Sequence, residues 1–196
     1  CATSGGIQAL RAWAGNDGGS KGFIDAVYAS PEYIDTLEMA KPVADYVDVD
    51  AELRGCPIDT GQLVELLTAT AVGRRPQLSS EAVCVECKRA GKVCVMVSRG
   101  EPCLGPIISS GCNALCPGMA RGCYGCFGPR ESANGESLAR WYSRSLEMSD
   151  ERIAAKFAGF TGWAPELREV IDGRGGPPGM RVETAADAAK SEGGAA

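Results

Sequence analysis

The residues that could carry chemistry in this chain are its cysteines. The 196 residues include ten cysteines and no histidine, and eight of the cysteines fall within residues 84–126. These eight are Cys84, Cys87, Cys94, Cys103, Cys112, Cys116, Cys123 and Cys126. A CxxC pair lies at each end of the series, and the turn inside such a pair brings its two sulfurs together on one metal centre. Eight thiolates form two sets of four, and four thiolates complete the ligation of one 4Fe–4S cluster.

Three arrangements of these thiols agree with their number. A disulfide scaffold also uses an even number of cysteines, but their density here is far below that of small stapled proteins. Two tetrahedral zinc sites would use the same eight ligands, because zinc ribbons also carry paired CxxC motifs. The spacing favours two iron–sulfur clusters, with the intervening glycines allowing turns whose N–H groups point at sulfur.

The composition excludes several other classes of function. Without histidine, the chain cannot form a Ser-His-Asp triad, a Cys-His dyad or a zinc site with an imidazole ligand. Its 20 Lys+Arg against 25 Asp+Glu give a net charge of −5, which argues against nucleic acid or an anionic membrane as the partner. No apolar run approaches the ~20 residues that cross a bilayer, so the sequence predicts no membrane span.

The first 76 residues must position the two remaining cysteines, Cys1 and Cys56. Apolar spacing and turn residues predict a helix over 7–13, a β-like or loop segment over 23–27, a helix over 30–42, a strand over 45–50 and a helix over 62–73. This order predicts an α/β fold. Functional groups in open α/β sheets lie at the carboxyl ends of strands, and Cys56 follows such an end.

The rest of the chain divides into three parts. Over residues 76–130 the apolar periodicity disappears, so the sequence predicts that no ordinary apolar core organises this segment. Residues 137–171 predict three helices, of which the second is capped by Ser149 and the third opens at Pro165. After residue 174, glycine and proline interrupt regular structure, and the polar end of the chain has no core of its own.

Several cysteine motifs resemble one known family. The motifs CLGP at 103–106, GCNALCP at 111–117 and RGCYGCFGP at 121–129 resemble the C-terminal cluster domain of NiFe-hydrogenase small subunits. They are most similar to the cytoplasmic, bidirectional branch, whose small subunit is the sulfhydrogenase delta subunit. The segments around Cys1 and Gly55-Cys56-Pro57 resemble the third and fourth ligand motifs of that family's proximal cluster.

The resemblance implies a division of the chain. Residues 1–76 would be the remainder of a flavodoxin-like, proximal-cluster domain, and residues 77–135 an irregular domain that holds two iron–sulfur clusters. Residues 136–173 would form a C-terminal helical segment, followed by a polar tail over 174–196. The family's first two proximal ligands form a CxxC that this sequence lacks, so an N-terminal segment is expected to be missing.

The resemblance also implies which cysteines share a cluster. Cys84, Cys87, Cys94 and Cys103 would bind the distal 4Fe–4S cluster, and Cys112, Cys116, Cys123 and Cys126 the medial one. Membrane-bound relatives place a histidine where Cys84 stands, and relatives with a three-iron medial cluster lack the thiolate that Cys116 supplies. Cys1 and Cys56 would bind the proximal cluster. Spacing alone also allows one ligand to be exchanged between the clusters.

The resemblance implies an electron-transfer subunit of a cytoplasmic NiFe hydrogenase. The chain lacks the CxxC motifs of the nickel site, so a large subunit would supply that site and contact residues 1–6 and 55–59. Electrons would leave for an iron–sulfur and flavin module that reduces NAD or NADP. The alternatives are a small subunit of a deazaflavin-reducing or heterodisulfide-reductase-linked hydrogenase, and a zinc-binding interaction module.

Overall fold

The computed structural model describes residues 2–6, 19–35 and 40–176 of the chain. Over these ranges the regular structure is helical. The α-helices are α1 Gly19–Val27, α2 Thr60–Ala71, α3 Val83–Arg89, α4 Val95–Arg99, α5 Leu115–Gly118, α6 Gly135–Ser145, α7 Asp150–Thr161 and α8 Pro165–Asp172. Two short 3₁₀ helices cover Pro31–Tyr33 and Val43–Asp45. The described ranges contain no sheet, only the isolated β-bridges Ala82–Ser109 and Ile108–Pro129.

The predicted α/β, flavodoxin-like architecture of the first 76 residues is therefore not supported in the part that the structure describes. The strand expected over 45–50 is wrong: residues 43–45 form a 3₁₀ helix, and every side chain from 43 to 50 is exposed. An alternating pattern produces a strand only when a neighbouring strand pairs with it and one face is buried. Neither condition holds here.

Two other predictions near the N-terminus also differ from the structure. The segment 23–27 belongs to α1, in which Ile24 and Val27 stand three residues apart, a helical spacing. The helix expected from Ser30 is a single 3₁₀ turn that ends at Tyr33, where the chain becomes extended at Ile34. Residues 36–39 of that prediction, and the helix expected over 7–13, lie outside the described ranges.

The predicted helices that follow are confirmed. Helix α2 begins after Asp59, whose carboxylate accepts a hydrogen bond of 2.9 Å from the backbone N–H of Gln62. Helix α7 begins after Ser149, whose hydroxyl accepts one from Arg152, and α8 opens at Pro165. In both capped helices a short polar side chain satisfies a backbone donor of the first turn. No helix in the described ranges is long and apolar enough to cross a membrane.

The cysteine segment and the C-terminal helices share one apolar core. The cysteine segment contributes Val83, Val95, Leu104, Ile107, Ile108 and Phe127, and α6–α8 contribute Leu138, Tyr142, Ile153, Phe157, Leu167 and Ile171. The Tyr142 and Phe157 rings meet edge to face with their centres 6.1 Å apart. The cysteine segment therefore does have an apolar core, which sequence periodicity missed because other parts of the chain complete it.

A central extended segment, residues 107–110, links the two ends of the cysteine series. One side of this segment is hydrogen-bonded to residues 81–83 and the other to residues 128–130, through backbone N···O distances of 2.9 Å. The first CxxC follows residues 81–83 directly, and the last CxxC precedes residues 128–130. The two pairs are thereby held on either side of the same segment.

Gly122 shows how closely the loops of the cysteine segment approach each other. A Cβ at this position would collide with the backbone carbonyl of Pro102. We expect Gly122→Ala to lower the free energy of unfolding by about 1–3 kcal/mol, the usual range for overpacked interiors. Thermal unfolding followed by circular dichroism measures this effect.

The matched control is Gly159→Ala, because Gly159 lies within α7 and a Cβ there meets open space. Alanine stabilises a helix interior by about 0.5–1 kcal/mol relative to glycine, so this variant should unfold at a slightly higher temperature. Equal midpoints for the Gly122→Ala variant and the wild type would contradict the proposed collision.

Candidate metal centre

The four thiols of Cys84, Cys87, Cys94 and Cys103, here called the distal set, lie around α3 and the start of α4. Cys84 and Cys87 stand three residues apart on α3, and Cys94 is the N-cap residue of α4. Burial raises the pKa of the Cys84 thiol to about 11, and the thiols of the other three cysteines add to the rise. A Cβ at Gly105 would lie 3.3 Å from the sulfur of Cys84 and 3.4 Å from that of Cys103. Glycine there leaves room for both sulfurs.

The thiols of Cys112, Cys116, Cys123 and Cys126, here called the medial set, form a second group. Burial raises the pKa of Cys126, and the thiols of Cys112 and Cys116 add to this rise. Cys123 is 5% exposed. Burial raises its pKa, which the backbone N–H of Gly125, 3.4 Å from its sulfur, partly offsets.

The two sets meet at Cys103 and Cys123. The backbone N–H of Cys123 donates a hydrogen bond of 3.1 Å to the sulfur of Cys103. In return, the N–H of Leu104 donates one of 3.2 Å to the carbonyl of Cys123. This pair of hydrogen bonds, here called the seam, joins Cys123 of the medial set to Cys103 of the distal set and to its neighbour Leu104.

The chemistry of these residues fits iron–sulfur clusters. A ligating thiol must lose its proton, and burial opposes the resulting charge until iron compensates it. N–H groups directed at sulfur supply part of the remaining stabilisation, and both the Cys103 and Cys123 sulfurs have one. Within the described ranges, no three His, Cys, Asp or Glu side chains are gathered in a group that could hold a single metal ion.

Cys56 lies beside the medial set, in a loop rather than at a strand end. The strand that was expected to position it is absent, and its side chain is exposed. Its backbone N–H is close enough to Cys126 to lower the pKa that burial raises. Gly55 has a φ of +148°, and a Cβ there would approach Ile58, Pro57 and Phe127 to about 3 Å. Glycine therefore allows this loop to pack against the cysteine segment.

Cys1 lies outside the described ranges, so its predicted meeting with Cys56 is not described either. Its neighbours are held near other parts of the chain. The carbonyl of Ala2 accepts a hydrogen bond of 2.8 Å from Val43, and the carbonyl of Ser4 accepts one of 3.4 Å from Trp163. The second of these contacts ties the N-terminal residues to the connection between α7 and α8.

Glu86 is a residue of the site that sequence reasoning missed. It stands inside the first CxxC, and its carboxylate accepts hydrogen bonds from the backbone N–H groups of Gly111, at 2.7 Å, and Ala114, at 3.1 Å. Asn113 and Ala114 both have positive φ, a conformation that side chains other than glycine rarely adopt. Glu86 thus holds the strained loop of the medial set against the helix of the distal set.

Lys156 was also missed, because α7 is distant in sequence from the cysteines. Its ammonium lies 4.6 Å from the centre of the Tyr124 ring, a cation–π contact. Burial lowers the pKa of Lys156, whereas the thiols of Cys103 and Cys123 act in the opposite direction. The C-terminal helices therefore bring a positive charge to the seam.

Two groups of neighbouring thiols, most of them partly or fully buried, define a candidate iron–sulfur protein. Comparison with known proteins places the chain among homologues of hydrogenase subunits. It is 37% identical over 163 residues to the delta subunit of sulfhydrogenase 2 of Pyrococcus furiosus, covering 83% of this chain and 65% of that protein. It is 32% identical over 147 residues to the G-type subunit of the F420-non-reducing vhu hydrogenase of Methanococcus voltae, covering 61% of this chain and 49% of that protein. No family model matches the chain.

A third relative carries the cofactor class in its name. The G-type iron-sulfur subunit of the F420-non-reducing hydrogenase of Archaeoglobus profundus is 29% identical over 151 residues, covering 63% of this chain and 46% of that protein. The chain spans slightly less than two thirds of the sulfhydrogenase relative and about half of the G-type relatives. The resemblance found in the cysteine motifs is confirmed: this chain is a homologue of the small, delta- and G-type subunits of hydrogenases, which are oxidoreductases.

Removing the Glu86 carboxylate should loosen residues 111–114 and weaken metal retention. A hydrogen bond to a charged group contributes about 1.5–3 kcal/mol, so Glu86→Ala should lose stability in that range. Glu86→Gln keeps one acceptor oxygen and should be affected less. Iron and acid-labile sulfide per chain, measured after anaerobic purification, should be highest in the wild type, lower in Glu86→Gln and lowest in Glu86→Ala.

Glu131→Ala is the control for Glu86, because Glu131 is an exposed carboxylate outside the cysteine series. Its iron content should equal that of the wild type. Full iron content in Glu86→Ala would show that the carboxylate does not hold the two sets together.

Proposed function

We propose that the chain is the electron-transfer small subunit of a cytoplasmic NiFe hydrogenase. The observation that carries the proposal is the order in which the cysteines approach one another. The N–H of Cys56 lies beside Cys126 of the medial set, and Cys123 of that set is bonded to Cys103 of the distal set. With clusters bound to these thiolates, the order would lead electrons from the loop of Cys56 to the first CxxC.

The proposed cluster ligands are the cysteines of the distal and medial sets, together with Cys1 and Cys56. The distal set would hold one 4Fe–4S cluster and the medial set another, with Cys1 and Cys56 supplying part of a proximal cluster. When bound, the clusters supply one-electron redox chemistry over a wide range of potentials. The chain's own residues position the thiolates, direct N–H groups at their sulfurs and exclude water behind α6 and α7.

The proposed partners are subunits that this chain needs for catalysis. A NiFe large subunit would supply the site of hydrogen chemistry and cover the loop of Cys56, whose thiol is exposed. An iron–sulfur and flavin module would receive electrons from the distal set and reduce NAD or NADP. Cys94 is the exposed cysteine of that set, so the distal end is accessible to a partner.

The G-type relatives favour a second candidate function. Their names describe F420-non-reducing hydrogenases, and the chain matches about half their length. The alternative is a deazaflavin-reducing or heterodisulfide-reductase-linked hydrogenase, in which a different acceptor subunit would take the electrons from the same relay. Because F420 is a deazaflavin, these names favour the heterodisulfide-reductase-linked form over the deazaflavin-reducing one. The sulfhydrogenase relative has the higher identity over a longer match, so we prefer the first proposal, which follows the resemblance to the sulfhydrogenase branch.

Purification of the native assembly tests the function. An affinity tag on this chain should recover, under anaerobic conditions, a nickel-containing large subunit and a flavoprotein, with iron in excess of nickel and zinc. Hydrogen should reduce NAD or NADP in this preparation, whereas reduction of a deazaflavin would favour the alternative. A stable monomer that contains zinc would contradict both and favour an interaction module.

A cysteine variant tests the four-thiolate medial site. Cys116→Ala removes one proposed ligand, so the oxidised protein should acquire the EPR signal of a three-iron cluster while the distal cluster is unchanged. Leu115→Ala, at the exposed neighbouring residue, is the control and should retain the wild-type spectrum. A three-iron signal in the wild type would show that Cys116 is not a ligand.

A further inference from the structure

The cysteine segment has a charge opposite to that of the rest of the chain. Residues 84–126 contain five of the chain's 20 basic residues but only two of its 25 acidic residues. The five basic side chains are all exposed, and they are Lys88, Arg89, Lys92, Arg99 and Arg121. The two acidic residues, Glu86 and Glu101, are partly buried. The surface around the thiols is therefore basic on a protein whose net charge is −5.

Most of this positive charge is not neutralised by the chain itself. Within the described ranges, Arg89 is the basic residue of this segment that forms an ion pair, with Glu81. Glu86 accepts hydrogen bonds from the backbone N–H groups of Gly111 and Ala114, so its charge is directed into the protein. An exposed surface with charge of one sign attracts partners of the opposite sign.

Exposed aliphatic side chains lie beside the exposed thiol of Cys94. Val93 is 72% exposed and Val97 is 84% exposed, and the two valines stand four residues apart, with Cys94 between them. Cys94 is the N-cap residue of α4, and its carbonyl accepts a hydrogen bond of 2.9 Å from the N–H of Ser98. The start of α4 thus presents two valines where the distal set reaches the surface.

Lys92 connects this region with exposed apolar side chains at α5. Its N–H donates a hydrogen bond of 3.0 Å to the carbonyl of Cys87, so the loop after α3 folds back on the first CxxC. A Cβ at Gly118 would lie 3.3 Å from Cε of Lys92, which places the lysine side chain against the end of α5. Leu115 and Met119, 65% and 71% exposed, stand one helical turn apart there.

These side chains have the composition of a protein–protein interface. The four exposed aliphatic side chains supply an apolar centre, and the lysines and arginines supply a charged rim. Contiguous exposed apolar side chains of this kind mark interaction sites. An aliphatic centre suits a protein partner better than a nucleic acid, whose bases stack on aromatic side chains.

We propose that Val93, Val97, Leu115, Met119 and Lys92, here called the acceptor surface, dock an electron-acceptor protein whose contact face is acidic around an apolar centre. The inference rests on the proposed function, because the electron donor is a cluster bound by the distal set. In each transfer the distal cluster would lose one electron and the acceptor's redox centre would gain it. One hydrogen molecule, oxidised to two protons at the large subunit, supplies the electrons of two such transfers.

The charge of the acceptor is tested in the native assembly, purified anaerobically through a tag on this chain. Lys92→Glu reverses one charge of the acceptor surface, and we expect the affinity for the flavin or iron–sulfur acceptor subunit to fall about tenfold. The ratio of acceptor subunit to large subunit, measured by mass spectrometry, reports the loss. Iron per chain and the amount of large subunit should equal those of the wild type.

Lys21→Glu is the matched control, because it makes the same change at an exposed lysine of α1. It should retain the acceptor subunit as the wild type does. Raising the salt from about 0.1 M to about 1 M shortens the screening length from about 10 Å to about 3 Å, so it should release acceptor from the wild type. Salt-independent retention, or equal retention in Lys92→Glu and the wild type, would overturn the inference.

The apolar centre is tested separately by Val97→Asp. Val97 is so exposed that aspartate there should not disturb the core, yet it would place a carboxylate in the contact with an acidic partner. Val72→Asp is its control, at a valine that is 66% exposed and follows α2. Loss of the acceptor in Val97→Asp alone is expected, and equal retention in both variants would contradict the proposed contact.

A cross-linking measurement needs no variant. A carbodiimide joins lysine amines directly to carboxylates, so the wild-type assembly should yield links from Lys92 to Asp or Glu of the acceptor subunit. An acceptor subunit that is present but linked elsewhere would overturn the inference. So would binding of the wild-type assembly to anionic phospholipid vesicles that Lys92→Glu abolishes while it keeps its acceptor. A wild-type chain without iron or partner subunits would instead refute the proposed function, so the two failures are distinguishable.

Discussion

The removal of thiols from water is the constraint on which the rest of this structure depends. Burial raises the pKa of Cys84, Cys87, Cys116, Cys123 and Cys126, and neighbouring thiols raise it further. Neighbouring thiols in this environment stay protonated and neutral, and they become thiolates only when a metal supplies compensating charge. The N–H groups at the seam and the ammonium of Lys156 reduce the cost of that charge. The site is thus built to be completed by a cofactor.

The C-terminal helices make this burial possible. They close over the cysteine segment with large side chains such as Tyr142, Phe157 and Leu167, each of which contributes about 1.5–3 kcal/mol when fully buried. A bidentate pair between Arg174 and Glu136, at 2.8 and 2.9 Å, fastens the turn that follows α8 to the start of α6. Irregular loops could not exclude water alone, because they lack a continuous apolar face. The helices provide that face.

The arrangement also relates to the hydrogenase homology. A relay needs redox centres in an order, and the approach of Cys56 to Cys126, and of Cys123 to Cys103, supplies such an order in one chain. The exposed thiols lie at its two ends, Cys56 and Cys94, whereas the seam in the middle is buried. Under the proposed function, partner subunits would meet the ends, and the protein interior would isolate the middle from solvent.

The sequence by itself determined the number and spacing of the cysteines, the protein family that their motifs indicate, and the capped helices α2 and α7. These features depend on residues within a few positions of each other. It misassigned residues 45–50, since alternation predicts a strand only where a partner strand exists. Only the tertiary structure decided which groups surround the seam. Cys123 reaches Cys103 across 20 residues and Glu86 reaches Gly111 across 25, and Lys156 comes from a separate helix. Such contacts follow from how the elements pack around buried sulfur, and no local pattern encodes that packing.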